Sequence, residues 1–229
     1  MEAQPAGIRR QPRRSVDRLD GTPTSNVENV DSTYRDILGK AAWARLEPEV
    51  RGRFSRKPGP GQKILYTGVM RDVELSFAGW LFAQACRLIG TPLAPYRGRD
   101  VAMLIELAPD AERDGVAWNR IYDFPPDRRF TVCSTKSRGP GGELIEHIGR
   151  GFSMRLVLSE VCGNLVFTSV AYEWSFLGLR IRIPPLLTPG VTTVAHEQLE
   201  GDRFRFWLSV DHPLFGCTIF QDGEFSELR

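Results

Sequence analysis

Between residues 115 and 228 apolar and polar positions alternate in short runs, and Gly, Pro, Asp and Asn mark where each run stops. In residues 117–124 (AWNRIYDF) Trp118, Arg120, Tyr122 and Phe124 share one face, while Ala117, Asn119, Ile121 and Asp123 share the other. A repeat of two is the signature of a strand, whose successive side chains point to opposite sides. The alternation returns in FTVCST, LIEHI, MRLVLSEV, LVFTSVAYEW, LRIRI, RFRFWLSV and CTIF, all rich in β-branched and aromatic residues. GPGG at 139–142 and Cys162-Gly163-Asn164 read as hairpin turns. The pattern predicts an antiparallel meander curled into a barrel or a strongly bent sheet.

The first half of the chain reads differently. Residues 1–31 are rich in Arg, Pro, Gly, Ser and Thr with almost no apolar periodicity, so a disordered basic tail is expected, followed by one domain over 32–229. Ser32 or Thr33 is placed to cap a helix whose apolar face is Tyr34, Ile37, Leu38, Ala41, Ala42 and Leu46. Pro48 opens a second short helix with Val50 and Phe54 inward, and 56–62 is a loop. Residues 63–75 read as a strand, bent or bulged at Gly68, and 101–107 as a fully buried strand. Residues 77–89 (FAGWLFAQACRLI) form a helix stopped by Gly90 and Pro92. That helix is apolar on most sides, so it is expected to be buried against the sheet, and it is too short to span a bilayer. The fold class is therefore α+β, with N-terminal helices and one buried helix packed on a mainly antiparallel sheet.

Composition narrows the function classes. A net charge of +2, part of it in the tail, makes no case for a nucleic-acid surface. The arginines at 9, 10, 13 and 14 are followed by no apolar stretch, so no secretion signal is expected and a cytoplasmic location is. Cys86, Cys133, Cys162 and Cys217 form no CxxC and read as buried thiols rather than a disulfide framework.

The candidates for chemistry are few. His147, His196 and His212 lie on separate segments with no metal-ligand spacing, so no metal site is expected. His212-Pro213 shapes the entry to the last strand, and a general-base role for His212 is the alternative. No GxSxG elbow offers a serine nucleophile, and Gly59 and Gly61 lack the strand and GK[ST] of a phosphate loop. Arg180 and Arg182 alternate with Leu179, Ile181 and Ile183; a solvent face is the preferred reading and a cavity rim holding a carboxylate or phosphate the other. Arg120 sits on a face with Trp118, Tyr122 and Phe124, and Glu146 on one with Leu144 and Ile148. If both faces point inward, each charge needs a partner. The two are therefore expected to meet on one side of the sheet, over a small residue such as Ser134 on the strand between them. Trp118, Arg120, Tyr122, Glu146, Arg180, Arg182 and His212 form the candidate ligand-binding set.

Several segments in order, YRDILG at 34–39, YTGVM at 66–70, WNRIYDF at 118–124, ELIEHIG at 143–149, IRIPPLLTP at 181–189 and HPLFGCTIFQDGEF at 212–225, resemble the bacterial family of domain of unknown function 4166 (DUF4166). Relatives carry this domain behind an NAD(P)-binding domain similar to saccharopine dehydrogenases or epimerases. This chain has no GxGxxG after a strand, so no cofactor is expected in it. It has Glu146-His147 where relatives tend to have Glu-Arg, and Phe220 where they tend to have Tyr. The resemblance implies no known activity. Three functions stay open: a non-catalytic binding module for an apolar or amphipathic small molecule, one carrying an anionic group included; an enzyme of decarboxylase, cyclase or isomerase type using Arg120, Glu146 and His212; and an accessory module docking on an NAD(P)-dependent oxidoreductase chain.

Overall fold

The alternation is realised in long strands hydrogen-bonded side by side until the sheet meets itself. The structure is a computed structural model describing residues 29–89 and 93–228. In chain order the elements are β1 (Asn29–Val30), α1 (Thr33–Leu38), α2 (Lys40–Arg45), α3 (Pro48–Phe54), β2 (Arg56–Lys57), β3 (Ile64–Leu75), α4 (Phe77–Ile89), β4 (Gly98–Asp110), β5 (Gly115–Phe124), β6 (Arg128–Arg138), β7 (Leu144–Gly149), β8 (Phe152–Val161), β9 (Asn164–Phe176), β10 (Leu179–Ile183), β11 (Val191–Gln198), β12 (Arg203–His212) and β13 (Gly216–Leu228). Each of β3 to β9 pairs antiparallel with the next, β9 continues to β11, β12 and β13, and β13 returns to β3. The result is a closed barrel of ten strands, with β10 branching off the end of β9. Closure gives each of the ten barrel strands a neighbour on both sides and turns every second residue toward one interior.

The N-terminal helices plug one end. Gly39, at φ 87°, breaks the single expected helix into α1 and α2. Tyr34, Leu46, Val50 and Phe54 are buried there, with Tyr34 and Phe54 against Phe167 of β9. The expected tail over 1–31 lies outside the described residues except for 29–31, where β1 pairs with β2. The stop at Gly90 and Pro92 also lies outside them.

α4 covers the other end, seated by a bulge. Thr218 is the extra residue opposite Val210 and Asp211, its hydroxyl donates to the Val210 carbonyl, and its own carbonyl accepts from Ser76 N at the head of α4. A Cβ on Gly79 would overlap that same carbonyl, so only glycine lets the helix backbone sit this close.

Four expectations are corrected. α4 is not buried on most sides: Phe77, Trp80, Leu81 and Leu88 are exposed, because the helix lies across the barrel mouth rather than under a second layer. β4 is longer than expected and alternates, with Val101, Met103, Ile105 and Leu107 inside and Ala102 outside, because only one face of a barrel strand is dry. In β3 the irregularity falls at Arg71, skipped between Met70 and Asp72, while Gly68 is straight and makes room for the Phe225 ring. Cys133, Cys162 and Cys217 are exposed and Cys86 half-buried, so the cysteines are not the buried thiols expected.

Gly79→Ala should lift α4 off β13 and destabilise the protein by about 1–3 kcal/mol, the usual cost of forcing a methyl into a filled contact. A thermal melt of the variant beside Gly52→Ala, whose Cβ meets open space, separates this effect from helix propensity.

Candidate functional site

Between the two plugs the barrel encloses a cavity of about 240 Å³. Much of its wall is apolar: Val132, Met154, Leu156, Phe167, Val194, Phe206 and Leu208 from the strands, and Phe82, Ala85 and Leu187 from the α4 end. One side is charged. Arg120 comes from β5, Ser134 and Lys136 from β6, and Glu146 from β7, all at inward positions on three consecutive strands. Lys136 lies directly opposite Glu146 in the β6–β7 register.

Three of these groups converge on a single oxygen of the fourth. Glu146 Oε1 accepts from Ser134 Oγ at 2.6 Å, from Arg120 Nη2 at 3.1 Å and from Lys136 Nζ at 3.1 Å. Arg120 Nη2 also donates to Ser134 Oγ at 3.0 Å. Arg120 and Glu146 thus meet across Ser134, two strand spacings apart, which a long guanidinium side chain can span. Lys136 was not a candidate in the sequence, yet it is as buried as Glu146, and its ammonium lies 4.8 Å from the centre of the Trp118 ring.

Burial and charge pull in opposite directions here. Burial raises the Glu146 carboxyl, but the Lys136 and Arg120 charges and the bonds from Ser134 and Lys136 outweigh it, and the pKa falls to about 2. Lys136 does not gain correspondingly. Its burial outweighs the Glu146 charge, Arg120 opposes it further, and its pKa drops to about 8. The asymmetry has a simple origin: one carboxylate is divided between two cations.

The other polar groups around the cavity are neutral. His196 is packed edge-on to Phe54 at 4.9 Å and Phe206 at 5.4 Å, and burial, then the charges of Arg53, Lys136 and Arg120, hold it well below its usual pKa. Its Nδ1 has no hydrogen-bond partner among the described residues. The Trp118 indole N–H makes no bond of good geometry either, although it lies beside the Tyr34 hydroxyl. Tyr122 donates to Gln221 Oε1 at 2.9 Å, and Tyr172 and Thr192 bond through their hydroxyls at 2.8 Å.

Of the candidate set, Trp118, Arg120, Tyr122 and Glu146 line the cavity. Arg180 and Arg182 do not: they sit exposed on the β10 branch, with Arg180 3.7 Å from Glu173. His212 is buried outside the lining, stacked on Phe215 at 4.7 Å and near Phe82 at 5.3 Å. Its Nδ1 accepts from Leu214 N, so it clamps the turn before β13. Among the described residues no group of three or more His, Cys, Asp or Glu could hold a metal ion, and no helix is long and apolar enough to cross a membrane.

Fold and site together define a closed antiparallel β-barrel with an apolar chamber and one charged wall. The chain belongs to the family described as Domain of unknown function (DUF4166), whose model matches residues 46–225 and so includes the whole charged wall. No curated protein and no solved structure matches it.

Lys136 changes what mutation of the pair does. With Arg120→Met the carboxylate still has Lys136 and Ser134, so the loss should be modest. Adding Glu146→Leu strands Lys136 and should make the protein less stable still, by about 3–5 kcal/mol relative to wild type. A triple variant that also carries Lys136→Met should recover most of the loss. Urea unfolding of the three variants measures the cycle; a double variant as stable as the triple would show that Lys136 does not belong to the network.

Proposed function

We propose that the barrel is a non-catalytic binding module that takes a small amphipathic molecule into its interior. The observation that carries this reading is the chamber itself, apolar over most of its wall with polar groups gathered on one side. Ligand sites commonly have this make-up, at about 300–1,000 Å³. A volume of about 240 Å³ points to a small occupant, roughly the space of eight waters. A chamber needed only for stability would be filled by side chains, since each void forfeits dispersion contacts.

Catalysis is the second reading, and one observation favours it. Lys136, at about 8, is placed to exchange a proton near neutral pH with a molecule in the chamber. The acid first suspected does not support it. Glu146, at about 2, stays ionised at neutral pH and acts as a fixed charge. His212, outside the chamber lining, supports it no better. Docking on an oxidoreductase has in its favour the exposed apolar side chains around α4, at the turn of Leu214 and Phe215, and on the β9–β10 hairpin at Phe176, Leu177 and Leu179.

A neutral polarity-sensitive probe, N-phenyl-1-naphthylamine, should bind saturably with one site per chain and brighten on entry. Phe206→Ala, on the cavity wall, should change its affinity several-fold, whereas Phe176→Ala on the exposed end of β9 should not. Fluorescence titration reads both. Unsaturable binding, or equal effects of the two substitutions, would remove the binding-module reading.

A further inference from the structure

The charged wall does not balance. Arg120 and Lys136 each bring a positive charge and Glu146 brings one negative charge, so the chamber carries a surplus of one positive charge. Among the described residues nothing else facing it makes up the difference. His196 is neutral, and burial raises the Tyr34, Tyr122 and Tyr172 hydroxyls, so they stay protonated. The Cys133 thiol is raised by its own partial burial, and Arg53 behind His196 only adds positive charge.

Hydrogen-bond donors are in surplus as well. An ammonium has three donors and a guanidinium five. Among the described residues Lys136 gives one bond, to Glu146, and Arg120 bonds only through Nη2, to Glu146 and Ser134. All three bonds reaching the carboxylate fall on Oε1. These spare donors face the chamber beside a surplus positive charge, where an incoming pair of anionic oxygens would make charge-assisted bonds with them.

We propose that the occupant is an amphipathic monoanion, a carboxylate, whose head group takes the free donors of Lys136 and Arg120 while its apolar body lies along the wall formed by Val132, Met154, Leu156, Val194 and Phe206. This rests on the binding-module reading and names its ligand class. A single surplus charge matches a carboxylate; a phosphate monoester, with up to about two negative charges, would leave the chamber negative.

The test compares three probes of one chain length, decanoate, decanol and decylamine, by isothermal titration calorimetry at pH 7. A charge-assisted bond contributes about 1.5–3 kcal/mol, so decanoate should bind at least about tenfold more tightly than decanol, with decylamine weakest. Lys136→Met should bring decanoate close to decanol and leave decanol unchanged; in that variant Glu146 keeps Arg120 and Ser134. Equal binding of decanoate and decanol by the unmodified protein, or tightest binding of decylamine, would overturn the carboxylate assignment while leaving the chamber a binding site. A decanoate preference undiminished in Lys136→Met would overturn the role of Lys136. Failure of all three probes to bind would overturn both the assignment and the reading beneath it.

Discussion

The hydrogen-bond ladder between β8 and β9, running from Phe152 opposite Trp174 to Val161 opposite Asn164, joins the sheet to itself. Without it the inward faces of β5, β6 and β7 would form one side of an open sheet, and Arg120, Lys136 and Glu146 would be ordinary solvated charges. With it those faces look across an interior at Phe167, Val194 and Phe206, with α3 packed at one end and α4 at the other. The same side chains then acquire the energetics of a low-dielectric site, where pairing is strong and an unpaired charge is costly. The tight β8–β9 turn makes the ladder possible. Cys162 and Gly163 both take positive φ, 50° and 84°, as a two-residue hairpin with the right twist requires.

Within that interior the shared carboxylate sets the character of the wall. Glu146 alone could balance one cation, and it serves two. The arrangement is stable enough to persist because the three strands hold their side chains in register, Lys136 opposite Glu146 and Ser134 beside them. It leaves one positive charge over, which is the basis of the proposal that an anion binds there. The proposed function rests on one positive charge left without its own counter-ion in an otherwise apolar chamber.

Much of the fold was legible in the residues. Alternation in 117–124 put Trp118, Arg120 and Tyr122 on one side, and the cost of an isolated inward charge was enough to pair Arg120 with Glu146 across Ser134. Lys136 escaped because FTVCST was read as ending at residue 135, and a lysine three residues before a GPGG turn reads as a solvated strand end. β6 continues to Arg138, and the signal was available: two residues beyond the inward Ser134 comes Lys136. Other misreadings share a cause. Period and hydropathy report which residues share a face but not which face meets a neighbour. The apolar α4 was therefore placed under cover that the barrel mouth does not supply, and Cys133 and Cys217 were assigned to the dry side. The roles of Arg180, Arg182 and His212 depended on where β10 and the turn before β13 fall, which local pattern does not specify.

The central claim is that the chamber holds a cation short of a counter-ion. Nuclear magnetic resonance of the Lys136 side chain, followed through pH with and without decanoate, addresses it directly. The account predicts that Lys136 titrates near 8 in the empty barrel, below the ordinary 10.5, and that its pKa rises when decanoate occupies the chamber. Titration near 10.5 in the empty protein, or a midpoint that decanoate binding does not move, would contradict it.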